Sequence, residues 1–207
     1  MENKNNVSLS KKKISLLIDN NLIEAEEGNT ILQAAKKAGL HIPTLCFHEK
    51  VKPHGACRLC LVEIEKKGRS RIVASCAYPA EGGLKVSTES TKVETIRKLL
   101  VEIYMAMFPF NPEIKVLSKK YNLINTRFKK ENDYCILCGL CVRYCAEVKG
   151  NNAVDFVGRG ISKKVTFVHD SAYFKYCKDC VECIEICPTG VFPSNFGIDR
   201  IPQISES

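Results

Sequence analysis

Apolar and polar residues alternate along the first part of the chain in short bursts separated by turn residues. Ile14 to Asp19 and Leu22 to Glu26 read as two short strands around the turn Asp19-Asn20-Asn21. The spacing then lengthens to a helical one at Ile31, Leu32, Ala34, Ala35 and Ala38. Thr30 stands at the N-cap, Gln33 is its capping-box partner, and Gly39 ends the run. Strict alternation returns at Leu61 to Glu65, Lys66-Lys67-Gly68 turns the chain, and Arg71 to Cys76 comes back as a strand. Gly82-Gly83 gives one more turn before Leu84 to Thr88. Two strands, a helix and further strands predict a small α+β sheet with the helix against one face.

The pattern changes after residue 89. Thr91-x-x-Glu94 opens a helix with apolar positions Val93, Ile96, Leu99, Leu100, Ile103 and Tyr104 on one face, and Pro109 stops it. Asn111 as cap and Pro112 at the first helical position start a second helix to about Lys120. These two helices predict a connector over residues 90–132. The longest strongly apolar stretch, Leu99 to Phe110, contains Glu102 and is too short to span a bilayer, so no direct membrane insertion is expected.

Cysteine changes the picture most. Cys135, Cys138, Cys141 and Cys145, then Cys177, Cys180, Cys183, Cys187 and Pro188, spell C-x2-C-x2-C-x3-C twice, the second copy ending in Cys-Pro. This is the ligand pattern of a two-cluster bacterial ferredoxin, in which the fourth cysteine of each run ligates the other cluster. It predicts one 4Fe-4S cluster on Cys135, Cys138, Cys141 and Cys187, and a second on Cys177, Cys180, Cys183 and Cys145. The remaining four of the twelve cysteines are Cys46, Cys57, Cys60 and Cys76. Three thiolates in one loop and a fourth on a neighbouring strand suit a 2Fe-2S cluster, although ten residues between the first pair exceed the four of plant-type ferredoxins. Gly55 lies in that loop either as a simple turn or where the backbone must approach inorganic sulfur closely.

Other readings of the cysteines are weaker. Paired C-x2-C sequences also build zinc ribbons, but four cysteines within eleven residues are crowded for two zinc knuckles; a zinc-stapled interaction protein is the weakest alternative. A disulfide framework needs an oxidising compartment, whereas the polar, lysine-rich start lacks an apolar signal core and predicts a cytoplasmic protein. The formal charge of +8 invites a nucleic-acid partner. Three oxidised clusters with four thiolates each carry roughly −2 apiece, which lowers the loaded protein to roughly +2, so no nucleic acid is expected. Lys11, Lys12 and Lys13 form a local basic patch, read as a solvated, poorly ordered start more readily than as a docking site, and residues 1–12 are expected to be disordered.

Pro43-Thr44-Leu45-Cys46-Phe47-His48, Gly55 to Ile64 and Val73-Ala74-Ser75-Cys76 resemble the 2Fe-2S domain of the large iron–sulfur subunit of respiratory complex I. They resemble equally the diaphorase iron–sulfur subunit of NAD-reducing nickel–iron hydrogenases and the N-terminal part of iron-only hydrogenases. Cys135 to Cys145 and Phe156 to Gly160 are similar to the two-cubane module of the same families, and the resemblance spans residues 13 to 195. It implies an N-terminal β-grasp 2Fe-2S ferredoxin-like domain over residues 13–89 and the helical connector over 90–132. A two-cluster bacterial ferredoxin-like domain over 133–195 would follow, between a disordered start at 1–12 and a tail at 196–207. One departure matters: these families usually carry a further 4Fe-4S cluster on one histidine and three cysteines, and residues 89–134 contain neither residue type. Three clusters are expected, one 2Fe-2S and two 4Fe-4S.

The resemblance implies an electron-transfer subunit with no bond-making site of its own. Its partners would be a flavin- and NAD(P)-binding diaphorase subunit, which holds the FMN and NAD(P), and a catalytic redox subunit resembling a hydrogenase or formate dehydrogenase. A free ferredoxin-like carrier is the alternative, though such carriers are usually small and acidic. The iron–sulfur subunit of a succinate dehydrogenase or fumarate reductase has the short first interval that Cys46 and Cys57 lack. No G-x-G-x-x-G or P-loop is present, so Gly158-Arg159-Gly160 reads as a turn. His41, His48, His54 and His169 have no catalytic partner in sequence, and His48 and His54 are expected to hydrogen-bond or pack beside the first cysteine loop. Arg58 and Arg143 each adjoin a cluster loop, as tuning charges or ion-pair partners, and Tyr134, Tyr144 and Tyr176 are expected to pack around the cubanes.

Overall fold

The computed structural model describes residues 12–129, 135–168, 177, 180 and 182–191. The expected disordered start, apart from Lys12, and the tail at 196–207 lie outside these residues, as do Tyr134, Tyr176 and His169. Two compact units divide the chain, one from Met1–Ile42 with Leu61–Val93 and the other from Pro43–Cys60 with Glu94–Ser207.

The first unit is a five-stranded mixed sheet with a helix. Strands β1 (Lys13–Ile18) and β2 (Asn21–Glu26) form an antiparallel hairpin whose turn residues Asp19 and Asn20 have φ of 47° and 64°. Both residue types tolerate the left-handed region that a tight hairpin turn requires. Helix α1 (Ile31–Lys37) carries the expected capping box. Thr30 Oγ1 accepts from the Gln33 N–H at 3.2 Å, and Gln33 Oε1 accepts from the Thr30 N–H at 2.8 Å.

Strands β3 (Leu61–Lys66) and β4 (Arg69–Ala74) form a second hairpin. The short β5 (Lys85–Ser87) pairs in parallel with β1 and antiparallel with β3, giving the order β2-β1-β5-β3-β4. The Asp19 carboxylate accepts from the Thr88 N–H at 2.8 Å and its hydroxyl at 2.5 Å, holding the end of β5 to the β1 turn. Leu16, Ile18, Ile31, Val62 and Ile64 are fully buried and form the apolar centre that the alternation predicted.

Helix α2 (Thr91–Met107) is punctuated one residue earlier than the sequence suggests. Ser90 Oγ accepts from the Val93 N–H at 3.4 Å, while Thr91 is already helical. Its inward face differs too. Leu99 is 40% exposed, whereas Arg97 is 2% exposed and continues into Val101, Tyr104 and Phe108. The register is shifted because Arg97 Nε donates to the Leu59 carbonyl at 3.1 Å, so a charged side chain occupies a buried position with a partner. Among the described residues no helix is long and apolar enough to cross a membrane.

The second unit continues with α3 (Pro112–Lys120), α4 (Leu140–Glu147), the hairpin β6 (Val154–Val157) and β7 (Lys164–Phe167), and the short α5 (Glu182–Glu185). Asn111 caps α3 as expected, its Oδ1 accepting from the Ile114 N–H at 3.1 Å. Its Nδ2 also donates to the Pro188 carbonyl at 2.6 Å, tying the connector to the terminal Cys-Pro segment. Gly158-Arg159-Gly160 is a turn: a Cβ on Gly158 would lie 2.3 Å from the Ser162 carbonyl oxygen, and its φ is +77°.

Candidate metal centres

The second unit buries thiols in place of a purely hydrocarbon core. Cys46, Cys57 and Cys138 lie in one cluster with Leu45, Val51, Leu59, Val101, Tyr104, Phe108, Ile114, Leu117, Leu140 and Tyr144. Cys141 and Val154 form a second cluster, with Cys145, Cys183 and Cys187 packed against it. Cys60 of this unit is also buried, as is Cys76 of the first unit, while Cys135, Cys177 and Cys180 are half-buried.

Both cysteine loops curl through left-handed backbone. In the first, buried Gly55 has φ of 68° and Arg58 59°; in the second, Leu137 has 50° and Gly139 67°, on either side of Cys138. A Cβ on Gly139 would come within 3.0 Å of the Phe156 ring. Such curls turn successive N–H groups toward one side, the arrangement that receives anions and cluster sulfur. The side of the first loop that receives them is already visible. The Cys57 N–H donates to Cys46 Sγ and the Leu45 N–H to Cys57 Sγ, both at 3.4 Å. The Ala153 N–H likewise donates to Cys145 Sγ at 3.3 Å.

Electrostatics sort the remaining thiols. The Cys57 thiol donates to Cys46, which, helped by backbone N–H groups and then by the Arg143 charge, holds Cys46 below the ordinary thiol range despite its burial; Cys57 is pushed up in turn. Burial pushes Cys138 up to about 11, with the charges of Cys187, Cys46 and Cys135 adding to it. Burial pushes Cys183 up to about 12, with Cys177, Cys180 and Cys145 adding to it. Cys177 is raised by burial and then by Cys145 and Cys180. Cys141 is raised by burial first, then by Cys138, Cys187 and Cys183. Thiolates crowded into a desolvated site would repel one another, which keeps these thiols protonated; a cationic iron centre would offset that repulsion and let them ionise as ligands. The thiol donors, the N–H groups on sulfur and the glycine-lined curl fit iron–sulfur clusters.

Of the neighbouring side chains named from the sequence, His48 and Tyr144 pack beside the cysteine loops, whereas His54 and Arg58 are exposed. His48 packs edge-on against Tyr144, with ring centroids 5.4 Å apart, and its Nδ1 accepts from the Lys50 N–H at 3.2 Å. His54 is exposed. Tyr144 is buried, and its hydroxyl donates to Glu182, which holds the phenol protonated. Arg58 is exposed and reaches back only to the Gly55 carbonyl, at 3.5 Å.

Three contacts were not foreseen. The Tyr104 hydroxyl donates to the Cys57 carbonyl at 2.7 Å, Arg97 holds the Leu59 carbonyl, and Arg143 Nη2 donates to the Cys46 carbonyl at 3.1 Å. The signals in the sequence were Arg97, a cation on the apolar stripe of α2, and Arg143, a cation beside a cluster cysteine whose carbonyl partners the spacing does not show.

The thiol arrangement and the two loops define a ferredoxin-like iron–sulfur protein. Comparison with known proteins makes this more particular. A family model of a 2Fe-2S iron–sulfur cluster binding domain matches residues 11–91, and one of the ferredoxin-like domain of NADH-quinone oxidoreductase subunit 3 matches residues 125–193. The NADPH-Fe(3+) oxidoreductase subunit alpha of Geobacter sulfurreducens is 33% identical over 206 residues, covering 87% of this chain and 24% of the relative. An NADH-quinone oxidoreductase subunit of Rhizobium meliloti is 31% identical over 208 residues, with the same two coverages. The chain thus spans about a quarter of the length of these curated relatives. A chain in the crystal structure of an NAD+-reducing [NiFe]-hydrogenase superposes with a TM-score of 0.71 at 30% identity, covering 86% of this chain and 85% of that one. The protein belongs to the family of iron–sulfur subunits that links the NADH-quinone oxidoreductases with the NAD+-reducing hydrogenases.

Proposed function

We propose that this chain is a three-cluster electron relay in a cytoplasmic oxidoreductase complex. It would pass electrons between a flavin- and NAD(P)-binding diaphorase subunit and a catalytic subunit of the hydrogenase or formate dehydrogenase kind. Cys46, Cys57, Cys60 and Cys76 hold a 2Fe-2S cluster. Cys135, Cys138, Cys141 and Cys187 hold one 4Fe-4S cluster, and Cys177, Cys180, Cys183 and Cys145 the other. The clusters supply one-electron storage. The chain's own residues supply thiolate ligands, N–H donors to sulfur, and an apolar surround that keeps water away.

The observation that carries this reading is the way the thiols group across the two runs. Cys145 is near enough to Cys177 and Cys183, and Cys187 to Cys138 and Cys141, to act on their ionisation, and Cys145, Cys183 and Cys187 pack against Cys141, which supports an exchange of last cysteines between the runs. A zinc ribbon has no use for such an exchange. Homology supports the diaphorase side, because the relatives are named for NADH, NADPH and NAD+ chemistry.

Iron and acid-labile sulfide in anaerobically purified protein should each approach about ten per chain, from two in the small cluster and four in each cubane. Stoichiometric zinc without sulfide would sink the reading, and elution of a stable loaded monomer without partners would favour the free carrier. Cys145→Ser should damage the cluster in the 177–183 loop more than the one in its own run, read by Mössbauer or EPR spectroscopy.

A further inference from the structure

Arg143 lies one turn into α4, and its guanidinium is spent on main-chain carbonyls. Nη2 donates to Cys46 O at 3.1 Å and lies 3.5 Å from Cys138 O, and Nη1 donates to Lys52 O. One turn further along the same helix, Glu147 Oε2 accepts from the Lys52 N–H at 2.7 Å. Helix α4 therefore grips both backbone polar groups of Lys52, but only Arg143 reaches a cysteine of each loop. Its Nε is buried and has no hydrogen-bond partner among the described residues. A Cβ on Gly139 would stand 3.9 Å from that nitrogen, which places Nε beside the turn that follows Cys138. A buried guanidinium N–H left unpaired is costly, and guanidinium never sheds its proton, so the site is made for a negative acceptor that the protein does not provide.

We propose that Arg143 is a positioning residue shared by two redox centres: it fixes the Cys46 and Cys138 loops on one rigid cation and offers its Nε–H to cluster sulfur. This rests on the assignment of clusters to those loops. Reduction adds negative charge to a cluster, so a fixed cation with N–H groups at both loops favours the reduced state of both. One residue would thereby set two potentials together.

The test is a redox titration of the loaded full chain, followed by EPR, with Arg143→Gln, Arg143→Lys and Glu147→Ala. Arg143→Gln should lower the midpoints of both the 2Fe-2S cluster and the 4Fe-4S cluster held by Cys138. A tenfold change in the reduction equilibrium corresponds to about 59 mV for one electron. Arg143→Lys, which keeps the charge and loses the planar fork, should shift both in the same direction by less. Glu147→Ala removes the other half of the Lys52 grip and should leave both midpoints in place.

A shift at neither cluster, or at only one, overturns the shared role. So does an equal shift in Glu147→Ala, which would reduce the effect to loop placement. If Arg143→Gln does not assemble, Arg143→Lys reads the same outcomes; loss of iron from both would leave Arg143 only holding the loops and overturn its role in setting the potentials. Absence of sulfide from the unaltered protein defeats the cluster assignment itself, a separate result.

Discussion

The two compact units bury their interiors by different means. The sheet unit closes over aliphatic side chains, with Leu16, Ile18, Ile31, Val62 and Ile64 fully excluded from water. The other unit holds Cys46, Cys57 and Cys138 among its buried residues, and its loops are tied by side chains reaching carbonyls: Arg97 to Leu59, Tyr104 to Cys57 and Arg143 to Cys46. An aliphatic core is self-sufficient, because every atom already has apolar neighbours. A thiol core is not, because its donors await a cation. The aliphatic core of the sheet is complete in its own atoms, whereas the stability of the second unit is expected to depend on what its thiols hold.

Stripping the iron should separate the two most widely. After chelation under oxidant, amide exchange is expected to rise by orders of magnitude in 43–60 and 135–147, while β1, β3 and β5 stay protected; equal loss in both units would break the contrast. Next in size is Ile64→Ala, which opens a cavity in the sheet unit. It should cost about 2–5 kcal/mol in chemical denaturation, in the loaded and stripped protein alike. Tyr104→Phe leaves the buried Cys57 carbonyl without its donor. It should cost about 1–3 kcal/mol in the loaded protein, measured the same way, and little once the iron is gone.

The smallest effect belongs to Glu63, a half-buried carboxylate on β3. The Ser70 hydroxyl, then Ser90 and Lys92, hold its carboxyl at about 2, below the ordinary 4.5. A depressed carboxylate contributes fully above its unfolded value, and that contribution is lost as pH falls from 4.5 through about 2. An NMR titration of the Glu63 carboxyl should give that low midpoint. Glu63→Gln should remove the stability change across that window and leave the rest of the acid transition as it was.

The sheet unit was largely legible in the sequence because its determinants are local. Thr30 and Gln33 are three residues apart, Asp19 and Asn20 sit in the turn they make, and alternation in β3 put Val62 and Ile64 where the core needs them. At α2 local pattern failed twice. Apolarity alone cannot rank Leu99 below Arg97, since the preference is decided by the Leu59 carbonyl, 38 residues away in the chain. The cysteine spacings gave the cluster types and the crosswise exchange as expectations. They were silent on what joins the loops, because the Arg143 contact to Cys46 spans 97 positions and involves a carbonyl, which every residue has.

The last strand of the sheet in sequence, the three-residue β5, is also its middle strand, lying between the β1–β2 and β3–β4 hairpins. Each hairpin has both of its strands before this point in the chain, yet the two are joined in the sheet only through Lys85–Ser87. By then all four thiols expected to hold the 2Fe-2S cluster have been synthesised. In sequence order, the strand that joins the two hairpins therefore follows every one of those cysteines and precedes both ferredoxin runs.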